Sequence, residues 1–334
     1  MGNHRKSSDS RSIGRIALNG GGHLDLPPPF FCTDIRRSGQ GGVWMKRFQK
    51  EKWGYFFLLP WFCFFMIFTV YPFFYGFKVS FYDYTISRSK FTGLDNYVQA
   101  FQSDSFWRSL CATFQYALII LPVTVLLSLW IAKVLSARGK KLNAFAKAVF
   151  YLPSVTNQVT LVVVWNFLFS PTFGVVAGIF STLGLEPISW FDSPKTAIPL
   201  LALLICTYGI GQPVILYTAA INGIPDHYFE AARIDGATEN QIFFRITLRL
   251  LHGTTTYILI TSTIGMLQIF AVPYLMTNGG PGYRTSTLLM LVYTSAFQNG
   301  SFGYASAIGV VLFFITAVIA LFQFRVMKRE AIEY

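Results

Sequence analysis

Six stretches of more than twenty residues without a single Lys, Arg, Asp or Glu dominate this chain, at 53–77, 110–132, 148–169, 197–221, 254–276 and 304–324. An α-helix rises about 1.5 Å per residue, so about 20 apolar residues cross a bilayer's hydrocarbon, and each stretch is long enough. Leu, Ile and Phe fall on every face of these runs, which excludes a membrane barrel built from short strands of alternating polarity. The expected fold class is all-α: a polytopic membrane protein with six transmembrane helices. Composition agrees, since 13% charged residues is far below the roughly 25% of soluble domains.

The net charge of +12 suggests nucleic acid in a soluble protein, but in a bilayer protein it marks the loops kept in the cytoplasm. With the N-terminus inside, the internal segments carry 21 Lys and Arg and the external loops 6. That split predicts both termini in the cytoplasm of a prokaryotic cell and no nucleic-acid partner. The first fifty or so residues, with the run Pro27-Pro28-Pro29 and many glycines, show no helical period and read as a disordered basic tail. The first apolar run lacks a cleavage site, so it is expected to stay as a span. Lys46, Arg47, Lys50 and Lys52 beside it set topology or anchor lipid headgroups. The predicted organisation is a tail at 1–52, first span and external loop at 53–106, a five-span core at 107–326 and a C-terminal tail at 327–334.

Catalytic signatures are missing. There is no GxxxxGK[ST] phosphate loop, no HExxH and no GxSxG. Cys32, Cys63, Cys111 and Cys206 are scattered without metal-site spacing, and His4, His23, His227 and His252 all lie outside the spans. The spans also lack the ionisable groups that hold a coupling ion at mid-membrane. A span set without charge, in a chain without its own ATP site, predicts a pathway for a neutral solute driven by another subunit. A stand-alone secondary transporter or a channel is the competing class, but no ion site, repeated half, filter or charged ring is visible.

The internal loop at 222–253 carries the most specific pattern, GIPDHYFEAARIDGATENQIFFRITLRLL. Pro225 suits a first helical turn, Asp226 puts negative charge at a helix N-terminus, and Gly236 is placed to end the helix in a left-handed conformation. Thr238 and Gln241 have capping-box spacing, so a second helix should open there. Together these predict a short helix from about 226 to 235, with Ala231 and Ala232 leaving room for another surface.

Here the sequence resembles the permease subunits of binding-protein-dependent ABC importers. Their cytoplasmic signature, EAA, a glycine and a distal I-x-L-P, is met by Glu230-Ala231-Ala232, Asp235-Gly236-Ala237, Phe243, Ile246 and Leu248, with Arg249 in place of the proline. The external run at Phe91, Gly93, Leu94, Asn96 and Tyr97, and the turn at Gly279-Gly280-Pro281, are similar to the carbohydrate-uptake branch, the relatives of maltose, lactose and glycerol-phosphate permeases. The resemblance implies a MetI-like permease fold in the cell membrane, with Glu230, Ala231, Ala232, Asp235, Gly236 and Ala237 coupling it to an ATPase. It implies as partners a second homologous permease, two ATP-binding subunits that hold ATP and Mg, and an extracytoplasmic solute-binding protein, with no cofactor in this chain. The expected solute is a sugar or oligosaccharide, the alternative being glycerol-phosphate or another non-sugar. Asn157, Gln158, Tyr208 and Gln212 are candidates for the solute path. For the amides among them, and for Gln268, contact between helices is the competing reading; for Tyr208, as for Tyr151 and Trp165, it is packing.

Overall fold

The computed structural model of the protein describes residues 57–186 and 188–331, so the expected tail at 1–52 lies outside the described residues. The chain divides into two units, 1–63 and 64–334. Of the first, residues 57–63 are described and are helical.

Apart from one hairpin the described elements are helices. They run as α1 (Phe57–Val79), β1 (Tyr82–Tyr84), β2 (Ser89–Phe91), α2 (Asp95–Gln102), α3 (Asp104–Ser136), α4 (Lys140–Val155), α5 (Gln158–Leu168) and α6 (Val175–Thr182). Then follow α7 (Pro194–Gly209), α8 (Gly211–Asn222), α9 (Asp226–Ile234), α10 (Glu239–Ile242, continued by a π-helical turn, Phe243–Thr247, and Leu248–Leu250) and α11 (His252–Leu267). The chain closes with α12 (Ala271–Thr277), α13 (Leu288–Tyr293) and α14 (Phe302–Ala331).

Among the described residues, four helices are long and apolar enough to cross a membrane: α1, α3, α11 with α12, and α14. The pairs α4–α5 and α7–α8 raise the number to six if each is one span. The third predicted span is therefore corrected. It is no continuous helix but two segments bent by 95°, because Thr156 (ψ 141°) and Asn157 (ψ 129°) are extended and the Asn157 Oδ1 caps α5 by accepting from Val159 N at 2.9 Å. Its first half starts at Lys140, inside the segment expected as a loop. The fourth span is also bent, by 46° at Ile210. Pro213 brings no N–H to the Gly209 carbonyl and its ring crowds that oxygen, which is how proline kinks a helix. At the other end of the chain, α14 continues to Ala331, into the segment expected as a tail.

In the fifth span the helix breaks between Leu267 and Ala271. Pro273 again lacks the N–H that would have served the Ile269 carbonyl, and the buried Thr287 hydroxyl donates to that oxygen instead, at 2.6 Å. The chain that follows the Gly-Gly-Pro turn is held inside by similar means. Tyr116 OH donates to Thr285 O (3.2 Å), and Leu288 N donates to Thr113 Oγ1 (3.0 Å). Helix α3 is the hub, packing on α7, α8, α11 and α13, and its Tyr116 and Ile120 share a core with Leu201, Leu204, Ile205 and Val272. Leu118, Val163, Phe74 and Phe322 remain exposed, apolar surface of the kind that lipid or another subunit covers.

The motif residues after the first span have a structural task. Asn96, buried in α2, donates from Nδ2 to Ser80 O (2.8 Å) and Tyr82 O (2.9 Å), and Tyr97 OH lies 2.7 Å from Ser80 Oγ. Gly93 (φ +62°) makes the turn that brings them there. Against this hairpin packs α14, with Gly303 so close to Tyr82 O that no Cβ fits. Removing Asn96 leaves two carbonyls without their donor, so Asn96→Ala is expected to cost about 1–3 kcal/mol. Thermal unfolding of the purified chain in detergent checks this, and an unchanged midpoint would show that the hairpin is held by other contacts.

Candidate functional site

The loop between the fourth and fifth spans folds as its local chemistry dictates. Asp226 sits in the first turn of α9, where a negative charge suits the helix dipole. At the other end Gly236 N donates to Arg233 O (3.1 Å) and Ala237 N to Ala232 O (2.9 Å), the paired bonds of a Schellman ending. That ending requires the left-handed φ of +76° seen at Gly236. Then Thr238 opens α10 with a complete capping box: its N–H donates to Gln241 Oε1 (2.8 Å) and its Oγ1 accepts from Gln241 N (3.4 Å). Across the turn the Arg233 Nε stands 3.0 Å from Glu239 Oε1, an exposed pair that adds little on its own.

The two alanines, expected to leave room for another surface, sit differently on the helix. Ala232 is buried in its own chain at 7% exposure, whereas Ala231 is exposed. Tyr228, Ala231 and Ile234, spaced by three, form an outward face on which Ile234 is 85% exposed. Glu230 and Asp235 are exposed too, with no ion-pair partner among the described residues. Arg249, which replaces the resemblance's proline, does not break the helix; α10 runs to Leu250 and turns at Leu251 (φ −82°, ψ 0°). His252 opens α11 with its Nε2 2.7 Å from Met327 O, so it acts between helices.

Sequence reading did not single out Lys133. Near the end of α3 its Nζ donates to Asn240 Oδ1 (3.1 Å) and lies 4.4 Å from the Phe243 ring centroid, tying α10 to the long helix. A groove of about 930 Å³ lies between the C-terminal end of α3 and this loop, lined in part by Trp130, Lys133, Phe229, Arg233 and Phe243. Only the basic residue near a span end, with an amide and an aromatic in the loop, hinted at this tie.

The four solute-path candidates sit near one crossing, where α4 meets the α7–α8 bend. Ser154 Oγ donates to Tyr208 O (2.7 Å). At Gly211 a Cβ would stand 2.5 Å from Phe150 O and 3.1 Å from Tyr151 Cα, so only glycine lets the two backbones touch. Asn157 is accounted for as the cap of α5. Tyr208 packs on the core around Leu204 and Ile205. Gln158 and Gln212 are exposed, and no hydrogen bond engages either side chain among the described residues.

Residues 124–330 match the model of the family described as binding-protein-dependent transport system inner membrane component. The chain belongs to that family. A probable ABC transporter permease protein, YurN, of Bacillus subtilis is 32% identical over 82% of this chain and 95% of its own length. The arabinooligosaccharides transport system permease protein AraP of the same organism is 28% identical over 83% and 89%. A chain of the bacterial ABC transporter involved in import of the acidic polysaccharide alginate superposes with a TM-score of 0.76, at 26% identity, over 86% of this chain and 99% of that one. A chain of an alginate transporter in complex with its pentasaccharide-bound periplasmic protein gives 0.75, at 26% identity, over 85% and 96%. The chain is thus a permease component of an ABC importer with the MetI-like fold, and not its ATP-hydrolysing subunit.

Because nothing lies within 4 Å of a Cβ at Gly236, a substitution there is penalised by backbone conformation alone. Gly236→Val is expected to destabilise the end of α9 by about 1–2 kcal/mol, and Gly236→Asn by less. Hydrogen exchange at the Gly236 and Ala237 amides checks it: protection should fall in the order Gly, Asn, Val, and equal protection in all three would remove the role given to the left-handed turn.

Proposed function

We propose that this chain forms half of a translocation pore for a sugar or oligosaccharide, paired with a homologous permease and driven by two ATPase subunits that bind ATP and Mg. The N- and C-termini and the α9 loop lie in the cytoplasm, as the positive-charge split favours. A solute-binding protein delivers solute on the other side, a reading supported by the alginate transporter solved with its periplasmic protein. ATP binding in the partners shifts the pore between inward-open and outward-open states.

The observation that carries this reading is the outward face of α9. An isoleucine at 85% exposure beside an exposed alanine, on a helix that Asp226 favours at its start and a Schellman turn closes at its end, is a surface made to enter a groove. Ala231 admits close approach, Ile234 anchors it, and Glu230 meets a polar or basic group on the ATPase. In the pore, Gln158 and Gln212 offer free amides to solute hydroxyls, since an amide without a partner is costly against lipid. The relatives that transport oligosaccharides support the solute class.

Co-expression with the ATPase tests the coupling. Ala231→Trp and Ile234→Asp should each lower the ATPase recovered with the membrane complex by about tenfold, the size of losing one buried anchor of ~1.4 kcal/mol. Membrane insertion should stay normal because the spans are untouched. Full recovery of ATPase with both variants, or labelling of a cysteine at Glu230 by an impermeant reagent from outside, would refute the assignment of this helix.

A further inference from the structure

The side of the chain opposite α9 is poor in cations. Its connections carry Lys78, Arg88, Lys90, Arg108, Lys195 and Arg284. Three of these six, from three separate connections, come together on one cavity of about 470 Å³. Arg108 lies early in α3, Lys195 in the first turn of α7, and Arg284 just after the Gly-Gly-Pro turn. The Arg108 guanidinium donates to Gly282 O (3.3 Å) and stands 3.5 Å from Asp104 in an exposed pair. Among the described residues no carboxylate pairs with Lys195 or Arg284.

Like charges gathered in one cavity repel each other unless an anion joins them. The N-terminus of the 16-residue α7 adds positive potential at the same place. Trp107 lines the cavity, fixed by its indole N–H donating to Phe101 O at 2.7 Å, and so does Gln115, an exposed amide without a hydrogen bond among the described residues. Arginine pairs with carboxylates, an indole ring offers an apolar surface to a sugar ring, and an amide serves hydroxyls. The volume falls within the ordinary range of small-molecule sites, about 300–1,000 Å³. We propose that this cavity is a subsite for an acidic saccharide, an oligosaccharide bearing hexuronate carboxylates, at the outer mouth of the pore. The proposal rests on the reading of this chain as a sugar permease and narrows its solute. It also departs from the neutral solute expected from charge-free spans, because the cations stand at the mouth and not within the membrane.

The test uses the whole transporter, with its partner permease and ATPases, in nanodiscs of phosphatidylcholine. Trisaccharides of galacturonate, glucuronate and mannuronate are compared with the same trisaccharides after their carboxyls are reduced to alcohols. At least one acidic probe should bind about tenfold or more tightly than its reduced form, the effect of one charge-assisted hydrogen bond. K195Q/R284Q should abolish that preference and K195R/R284K should keep it. Equal binding of every acidic probe and its reduced form, or an undiminished preference in K195Q/R284Q, overturns the proposal. So does retention of phosphatidylglycerol at these residues with no uronate bound, which would make this a headgroup site. A third overturning result is loss of solute-binding-protein docking in K195Q/R284Q while uronate binding is unchanged, which would make it a protein contact. Uptake of a neutral sugar with no binding of uronates refutes the subsite and leaves sugar import standing, whereas transport of no saccharide at all refutes the import reading.

Discussion

A carbonyl released from its helix inside a membrane has no water to turn to, and the rest of this structure depends on how such oxygens are satisfied. Pro273 deprives Ile269 O of its helical donor, and Thr287 supplies one from the segment after the Gly-Gly-Pro turn. At the end of α7, Tyr208 O accepts from Ser154 of α4. In both places a break in one span is closed by a hydroxyl from outside that span, in one case from the connecting segment and in the other from α4. The breaks therefore face inward, toward protein. A hydroxyl bond of this sort also fixes which elements meet: α4 must cross the α7–α8 bend at Gly211, and the Thr285–Thr287 segment must lie against α3 and α12.

This arrangement places the exposed amides. Gln158 follows the break that Asn157 caps, Gln212 follows the break at Ile210, and Gln268 ends α11 at the third break. Polar side chains and loosened backbone thus occur together at the three breaks, while Leu118, Val163 and Phe322 give the chain exposed apolar surface elsewhere. The proposed solute path would need both conditions, and among the described residues the spans bring them together without a buried ion pair.

Much of this was legible in the sequence and some of it was not, for identifiable reasons. Length and absence of charge show where six spans lie, and cap chemistry shows α9 and α10, because Pro225, Gly236, Thr238 and Gln241 act locally. The 95° bend was not read, since hydropathy alone does not distinguish a straight span from a bent pair; Pro153 four residues ahead of a cap-forming Asn157 was the signal available. Ala231 and Ala232 are identical in sequence, and only packing shows that one faces inward. The meeting of Arg108, Lys195 and Arg284 depends on contacts between residues 87 to 176 positions apart, and no local pattern reports these.

One long helix links the Gly-Gly-Pro turn to the loop that carries α9 and α10. At 33 residues, α3 extends about 50 Å, with Arg108 bonded to the Gly-Gly-Pro turn at one end and Lys133 held by Asn240 and Phe243 at the other. Pro122 interrupts one hydrogen bond along it, yet no break in the helix is present. Under the proposed coupling, a displacement of α9 would pass through the capped turn into α10, and from Asn240 and Phe243 to Lys133. Because α3 packs on α7, α8, α11 and α13, it cannot tilt without carrying their bends with it, as close-packed interfaces move between discrete arrangements and do not deform smoothly. The tie at Lys133 combines a hydrogen bond with a ring contact. Loss of the amide partner would therefore weaken the connection without severing it, whereas loss of the ammonium would remove both contacts at once.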